Sequence, residues 1–467
     1  MTYYIDPFGC VKNQVDAENM MALLEKGGWA AAEKAEDADL VIVNSCGFIE
    51  SAKQESINAV LGWRKFYPEK KILLAGCLAQ RYAKELSEAL PEADGFFGLG
   101  DLTGIVRAAE KAMASGKAQR AATAASAARE KTLALRPGKR PLLSMPGSAY
   151  VKISEGCDNY CSFCAIPIIR GTLKSRGVRD ITKECKTLLG RGIKELCLVG
   201  QDTGSYGRDL KCYKGGLFGL MQALSGLEGD FRVRLLYIHP DHFPLSILDI
   251  MAQDKRFLPY FDIPFQHGSE KILAAMNRSL KPNDYLNLVK TIRRRLKDAV
   301  IRSTFMTGFP GETEEDFEQL LDFQEKAAMD WLGCFAYSRE EGTASYSMKG
   351  RVAKKTAAER KRLVEQRQIP ITEKQMNRFV GRTFEVLVEE KFEPPDNGSM
   401  GDMDGSALYL GRLPCQAPEV DGAAVILSPK PLALGAMVQC RVAARRGFDL
   451  EVRPVPCTLT IRKNMVK

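Results

Sequence analysis

Cys157, Cys161 and Cys164 stand in one run, Cys157-Asp158-Asn159-Tyr160-Cys161-Ser162-Phe163-Cys164, a C-x3-C-x2-C spacing that offers three thiolates to one inorganic centre. Three thiolates suit a cluster of four irons and leave one iron without a protein ligand. An iron left open in this way can bind a small molecule and hand it an electron directly. Two plainer readings compete with this one. A structural zinc ion wants four closed ligands, and the only histidines, His239, His242 and His267, lie far along the chain from this loop. Three ordinary buried thiols are the other, since Cys is among the most buried residue types.

The elements that must carry this loop read as alternating strands and helices. A strand at 149–153 leads into the cysteines. Apolar runs at 195–199, 233–238, 260–263, 301–306 and 331–336 then alternate with stretches of crossover-helix type. This pattern predicts an open (β/α) barrel of TIM type, with its active loops at the strand C-termini. Three of those loops look equipped for a cofactor. Gly200, Gln201 and Asp202 put a small residue and polar side chains just past a strand, where backbone can approach a ligand closely. Gly308 to Thr313 does the same, with Thr313 placed to cap the acidic helix that follows. Asp262, Gln266 and His267 gather a carboxylate, an amide and an imidazole at a third strand end. Taken alone, His267 reads better as a satisfied structural histidine than as a base.

Toward the N-terminus, apolar runs at 3–5, 40–43 and 72–75 alternate with helical patterns at 16–26 and 51–63, as buried parallel strands between amphipathic helices do. Cys10, Cys46 and Cys77 stand at the ends of the three runs. Ligand sites of open α/β sheets lie beyond the strand C-termini, so these thiols could converge on a second cluster, again with an open iron. The alternative is three unrelated buried cysteines.

The chain therefore divides into an N-terminal α/β parallel-sheet domain at 1–116, a linker rich in Ala, Ser, Lys and Arg at 117–142, a central barrel at 143–375 and a C-terminal domain at 376–457. A charged helix at 353–377 precedes the last of these. Short strands from Phe384 onward, broken by Gly, Pro and Asp turns, predict a small antiparallel β-barrel. Such barrels often bind oligonucleotides or proteins. Phe392 and Tyr409 are its candidates for base stacking, against the reading of a plain solvated surface.

A length of 467 residues with 45% apolar content suits about three domains. No basic, then apolar, leader opens the sequence, and no run approaches the roughly twenty apolar residues that span a bilayer. The expectation is a cytoplasmic protein without membrane contact. Its 13 cysteines then read as thiols and metal ligands rather than disulfides. A net charge of +9 is compatible with a nucleic acid or ribonucleoprotein partner and decides little.

The first cysteine loop, with Phe163 just before its third Cys, resembles that of the radical S-adenosylmethionine (SAM) enzymes. With Cys10, Cys46 and Cys77 added, the whole chain resembles the methylthiotransferases of that superfamily. The match runs from Gly9-Cys10 to Asp16 through Glu155-Gly156-Cys157, Arg170-Gly171, Ser175-Arg176 and Gly308 to Glu312, to a C-terminal barrel resembling a TRAM domain. Asn44 to Glu50, Ile153 to Cys157, Asp262 to His267, Tyr337 to Thr343 and Gly411 to Gly422 resemble the RimO branch, which modifies an aspartate of ribosomal protein uS12, rather than the branch that modifies transfer-RNA adenosine. Two departures are Asp6-Pro7-Phe8, where Ser-Leu is commoner, and His239, at a position that is often Tyr.

The resemblance implies two 4Fe-4S clusters, a SAM-binding one on Cys157, Cys161 and Cys164 and an auxiliary one on Cys10, Cys46 and Cys77. It implies cofactor contacts at Phe163, Gln201, Asp202, Gly308 and Gln266. It further implies radical abstraction of a β-hydrogen of the aspartate, sulfur insertion, and methyl transfer from a second SAM. An electron donor such as flavodoxin or ferredoxin and RNA contact through the TRAM domain complete the expected partners. The rivals are a transfer-RNA adenosine methylthiotransferase and an iron-sulfur redox or ribosome-binding protein without catalysis.

Overall fold

The computed structural model describes residues 1–115, 122–123, 140–392 and 406–455. In the N-terminal domain, strands β1 (Thr2–Pro7), β2 (Ala30–Ala31), β3 (Leu40–Ser45), β4 (Lys71–Gly76), β5 (Gly95–Phe97) and β6 (Ala122–Thr123) form one parallel sheet in the order β2-β1-β3-β4-β5-β6. Alternation decides which helices each side chain meets. Leu40 and Ile42 face α1 (Val11–Lys26) and α4 (Ile105–Ala114), whereas Val41 and Val43 face α2 (Glu50–Phe66) and α3 (Cys77–Ala89). Most of the expected linker lies outside the described residues. Its described parts are Ala122–Thr123, which add an edge strand, and the stretch from Arg140, whose fully buried guanidinium joins Glu18 of the first domain to Glu184 of the second.

The central domain holds β7 (Ser148–Lys152), the short antiparallel pair β8 (Ser154–Glu155) and β9 (Lys174–Ser175), then β10 (Glu195–Val199), β11 (Arg232–Leu235), β12 (Phe257–Asp262), β13 (Val300–Thr307) and β14 (Trp331–Ala336). Six of these run parallel in the order β14-β13-β12-β11-β10-β7, and the two edge strands do not pair among the described residues. This is the open barrel that the apolar runs predict, with helices covering the outer face.

The last domain closes five strands into a barrel: β15 (Thr383–Phe392), β16 (Ala407–Arg412), β17 (Ala424–Ser428), β18 (Met437–Arg446) and β19 (Asp449–Pro454). It departs from a purely antiparallel barrel at one pairing, β17 with β19. The chain leaves β17, crosses to pair β18 with β15, and the β18–β19 hairpin returns alongside β17 in the same direction. Tyr409 is only 2% exposed and its hydroxyl accepts from Leu432 N (3.1 Å), so it packs in the barrel core and offers no face to a base. The β16 register turns it inward. Phe392 is half-buried at the end of β15.

The barrel's 413–421 loop fits the inner face of the open sheet, where Leu413, Cys415 and Ala417 join Tyr150, Val199, Tyr260 and Trp331 in one apolar cluster. Tyr260 and Arg302 both donate to Asp421 (2.6 and 2.9 Å), and buried Glu195 takes Arg232, Arg234 and Arg412. No described helix is long and apolar enough to cross a membrane.

Candidate active site

Each N-terminal thiol leaves the end of a strand. Cys10 follows β1 and precedes α1, Cys46 follows β3, and Cys77 opens α3 directly after β4. Because β1 pairs with β3 and β3 with β4, residues remote in sequence emerge side by side. Fully buried Asn13 ties the three loops together. Its Nδ2 donates to Ser45 O (2.9 Å), its carbonyl accepts from Asn44 Nδ2 (2.8 Å), and its Oδ1 accepts from the Cys77 thiol (3.2 Å).

The second triplet lies between β8 and α5 (Ile166–Arg170). Cys157 N donates to Gly171 O (3.0 Å) and Cys164 N to Cys161 O (2.9 Å). Ser162 N donates to Met276 O (3.1 Å) and Asn277 Nδ2 to Tyr160 O (3.0 Å), so the loop is clamped from across the barrel mouth. All six cysteines, from two domains, wall one cavity of about 400 Å³ between the C-terminal ends of the two sheets. Arg170 bridges the halves: from the helix after Cys164 it donates to Cys77 Sγ (3.3 Å), Asp16 (3.0 Å), Glu155 (2.8 Å) and Asn13.

Burial pushes Cys46 up to about 11 and Cys157 and Cys164 up to about 12, and raises Cys77 as well. Cys10 is the exception. Cys10 keeps solvent exposure at the cavity edge; crowding by the surrounding protein raises it too, but the charges of Lys12 and Arg170 and the backbone N–H groups of Asn13 and Lys12 outweigh that, and its pKa falls below the usual thiol value. Thiolates are the species that bind iron, so loading these triplets displaces protons.

Among the described residues, no three His, Cys, Asp or Glu side chains gather on the point a single metal ion would occupy. A four-iron cluster spreads its thiolates over separate irons, and two cysteine triplets on the wall of one cavity offer the donor type it needs. The view that no histidine comes near the first loop needs correction: His239 Nε2 lies 3.7 Å from Cys161 Sγ. Strand β11 ends beside the loop in space although 78 residues separate the two in sequence. Burial, with Arg278 nearby, lowers the His239 pKa and keeps the ring neutral.

Of the expected cofactor contacts, Phe163, Gln201 and Gln266 line the cavity. Gln201 Nε2 donates to Glu155 (3.0 Å), and its Oε1 is buried with no hydrogen-bond partner. Asp202 and Gly308 are placed behind that wall. The Asp202 carboxylate accepts from Gly204 N, Ser205 Oγ, His239 N and Asn159 Nδ2 at 2.6 to 3.0 Å, so it braces the cysteine loop through Asn159. Gly308 has φ +77°, and a Cβ there would stand 2.3 Å from Ala357 Cβ, so it serves close packing against the helix Lys354–Asn377.

Glu312 accepts from Gly308 N (2.8 Å) and from Arg360 (2.6 Å), folding the Gly308 loop about its own carboxylate. Thr313 and Asp316 form the expected cap. His267 is fully buried and lies away from the cavity wall; its Nδ1 accepts from Ser269 N (3.0 Å), while its Nε2 stands 3.5 Å from the Glu312 carboxylate and makes no hydrogen bond. Sequence reasoning gave no role to Lys12, Asn13, Tyr237 or Arg278, all on the cavity wall. The polar residues close behind Cys10 were the one available signal.

Comparison with known proteins follows the same division. The profile of the uncharacterized protein family UPF0004 matches residues 2–98, that of the radical SAM superfamily residues 151–323, and that of the TRAM domain residues 380–455. In fold, the chain is similar to the radical SAM methyltransferase TsrM of Kitasatospora setae, solved with cobalamin and a [4Fe-4S] cluster. The TM-score is 0.54 at 13% identity, covering 74% of this chain and 73% of that one. Fold and family profile thus define a radical SAM enzyme, a class that works with SAM and 4Fe-4S clusters.

Among relatives, the chain is 47% identical to the ribosomal protein uS12 methylthiotransferase RimO of Treponema denticola, over 96% of this chain and 99% of that protein. It is 40% identical to the protein of that name from Thermotoga maritima, over 90% of this chain and 92% of that protein. The chain belongs to the uS12 methylthiotransferase RimO family.

Proposed function

We infer that this protein catalyses SAM-dependent β-methylthiolation of an aspartate of ribosomal protein uS12. The observation that carries the reading is the meeting of two cysteine triplets, from two domains, on one cavity of about 400 Å³. Cys157, Cys161 and Cys164 would hold the SAM-binding cluster, and Cys10, Cys46 and Cys77 the auxiliary one. When bound, these groups would supply reductive cleavage of SAM, radical removal of an unactivated hydrogen and an open iron that presents sulfur to the substrate, chemistry that no side chain can perform.

The residues of this chain orient and enclose. Phe163, Gln201 and Gln266 would contact SAM, with the unpartnered Gln201 Oε1 ready to accept a hydrogen bond. Asp202 would act through Asn159, and Gly308 through the packing behind the wall. Arg170, Asn13 and the Arg81–Glu340 ion pair (2.7 Å) hold the two domains closed on the cavity, which excludes water from a reactive radical.

Supply of electrons by a flavodoxin or ferredoxin, RNA contact through the TRAM domain and a cytoplasmic location are part of the same reading. The test is anaerobic reaction of the iron-sulfide-reconstituted protein with SAM, reductant, uS12 and transfer RNA together. A methylthio mass increment on the uS12 aspartate is expected, with unmodified transfer RNA. Modified adenosine with unmodified uS12 would overturn the choice of substrate.

A further inference from the structure

Lys12 is 8% exposed and stands on the cavity wall beside Cys10. Its ammonium lies 3.3 Å from the centroid of the Tyr237 ring. No carboxylate, carbonyl or hydroxyl among the described residues takes a hydrogen bond or ion pair from it. Its neighbours differ in this respect. Lys152 is paired with Asp16 and Glu155, and Arg170 with the same two carboxylates. An ammonium carries three donors, and a ring face satisfies it only in part. Cys10, Asp262 and Glu155 attract its charge without taking a hydrogen bond from it, and a buried cation with donors left over marks a place where a further anion can bind.

The mount beneath it is strained. Tyr237 adopts φ +62°, a left-handed conformation unfavourable for a non-glycine residue, and is held there by Thr203, whose N and Oγ1 donate to Tyr237 O (2.9 and 3.2 Å). Strain of this kind persists where surrounding structure enforces it, and it gathers at functional sites. The second unsatisfied cation of the wall, Arg278, is engaged elsewhere: it donates to Pro264 O (3.2 Å) and lies toward Cys164.

We propose that Lys12, seated on Tyr237, binds the carboxylate of the substrate aspartate and makes the reaction selective for aspartate; this rests on the function inferred above. The reacting β-carbon must reach the space between the two cysteine triplets. The carboxyl group is bonded directly to that carbon, so it arrives in the same space, where Lys12 stands. A carboxylate would pair with the ammonium, and a neutral amide of the same shape would leave the charge unmatched.

The experiment compares uS12 with a uS12 variant carrying Asn at the target position, using reconstituted wild-type, Lys12→Met and Lys12→Arg enzymes. Methylthiolation is followed by intact mass, uS12 binding by fluorescence anisotropy, and iron content checks loading. The wild type is expected to favour the Asp form over the Asn form by at least about thirtyfold in kcat/KM. Lys12→Met should lose at least about thirtyfold on the Asp form and bring the two forms to near equality, and Lys12→Arg should recover part of the preference.

A wild type indifferent to Asp or Asn, or a Lys12→Met enzyme that keeps the preference or weakens both forms alike, would overturn the proposal. Should Lys12→Met fail to hold iron, Lys12→Gln is read by the same criteria. A wild type that modifies neither form while cleaving SAM would instead bring down the uS12 reading, and this proposal with it.

Discussion

Arg170 Nη2 lies 3.3 Å from Cys77 Sγ, an N–H donor from the radical SAM domain directed at a thiol of the N-terminal domain. Hydrogen bonds to cluster sulfurs tune reduction potential. Arg170→Gln should make the potential of the auxiliary cluster proposed on Cys10, Cys46 and Cys77 more negative, by on the order of 60 mV, a tenfold change for a one-electron couple. Redox titration followed by electron paramagnetic resonance checks this. An unchanged potential would mean that the contact only docks the domains.

The thiol with the lowered pKa is the clearest target for separating the two triplets. Cys10→Ala should abolish sulfur insertion, while the Cys157 triplet still supports formation of 5′-deoxyadenosine from SAM. Product mass and nucleoside chromatography on the same reaction give both readouts. Thiolation at the wild-type rate would remove Cys10 from the assignment.

Gly156 sits at φ +73° with no room for a side chain: an added Cβ would lie 2.1 Å from Thr172 O and 2.6 Å from Gly171 O. Gly156→Ala must therefore displace Cys157, whose N–H bonds to Gly171 O. Iron content after reconstitution should fall to roughly half of wild type, since one of two similar clusters loses its loop. Full iron loading would show that the loop accommodates the change.

Glu195 couples the central sheet to the C-terminal barrel through Arg232, Arg234 and Arg412. Removing one member of such a buried set leaves charge uncompensated, so Glu195→Gln should cost about 3–5 kcal/mol. Burial raises the pKa of Glu195, but the three guanidinium groups outweigh it and hold it well below the usual carboxylate range. A depressed folded-state pKa stabilises above the unfolded value and loses that contribution as pH falls below about 4.3. Denaturant unfolding at pH 7 and pH 3.5 should show wild type losing more stability on acidification than Glu195→Gln. Parallel losses would assign acid sensitivity to other groups.

Local pattern carried much of this protein. The C-x3-C-x2-C run, the six apolar runs of the central sheet and the Thr313 cap depend on neighbours within a few residues, and periodicity reports those directly. The short strands Gly95–Phe97 and Ala122–Thr123 gave no such signal, because three or two residues show no period. For Asp202 and Gly308, placed after strands, periodicity gave no sign of the neighbours the structure supplies, Asn159 for the carboxylate and Ala357 against the glycine.

Residue types and spacing determined the Cys157, Cys161 and Cys164 triplet, the strand ends that carry Cys10, Cys46 and Cys77 and the order of the three domains, and left open whether those last three cysteines converge. Only the tertiary structure decided that the triplets share a cavity, that Arg170 reaches Cys77 across 93 residues and that His239 approaches Cys161. It also decided that Lys12, on that wall, rests on the Tyr237 ring and hydrogen-bonds to no carboxylate among the described residues. The reason is physical. Backbone hydrogen bonding and side-chain alternation are local, whereas a site between two sheets depends on how separately folded layers pack, and no stretch of sequence contains that contact.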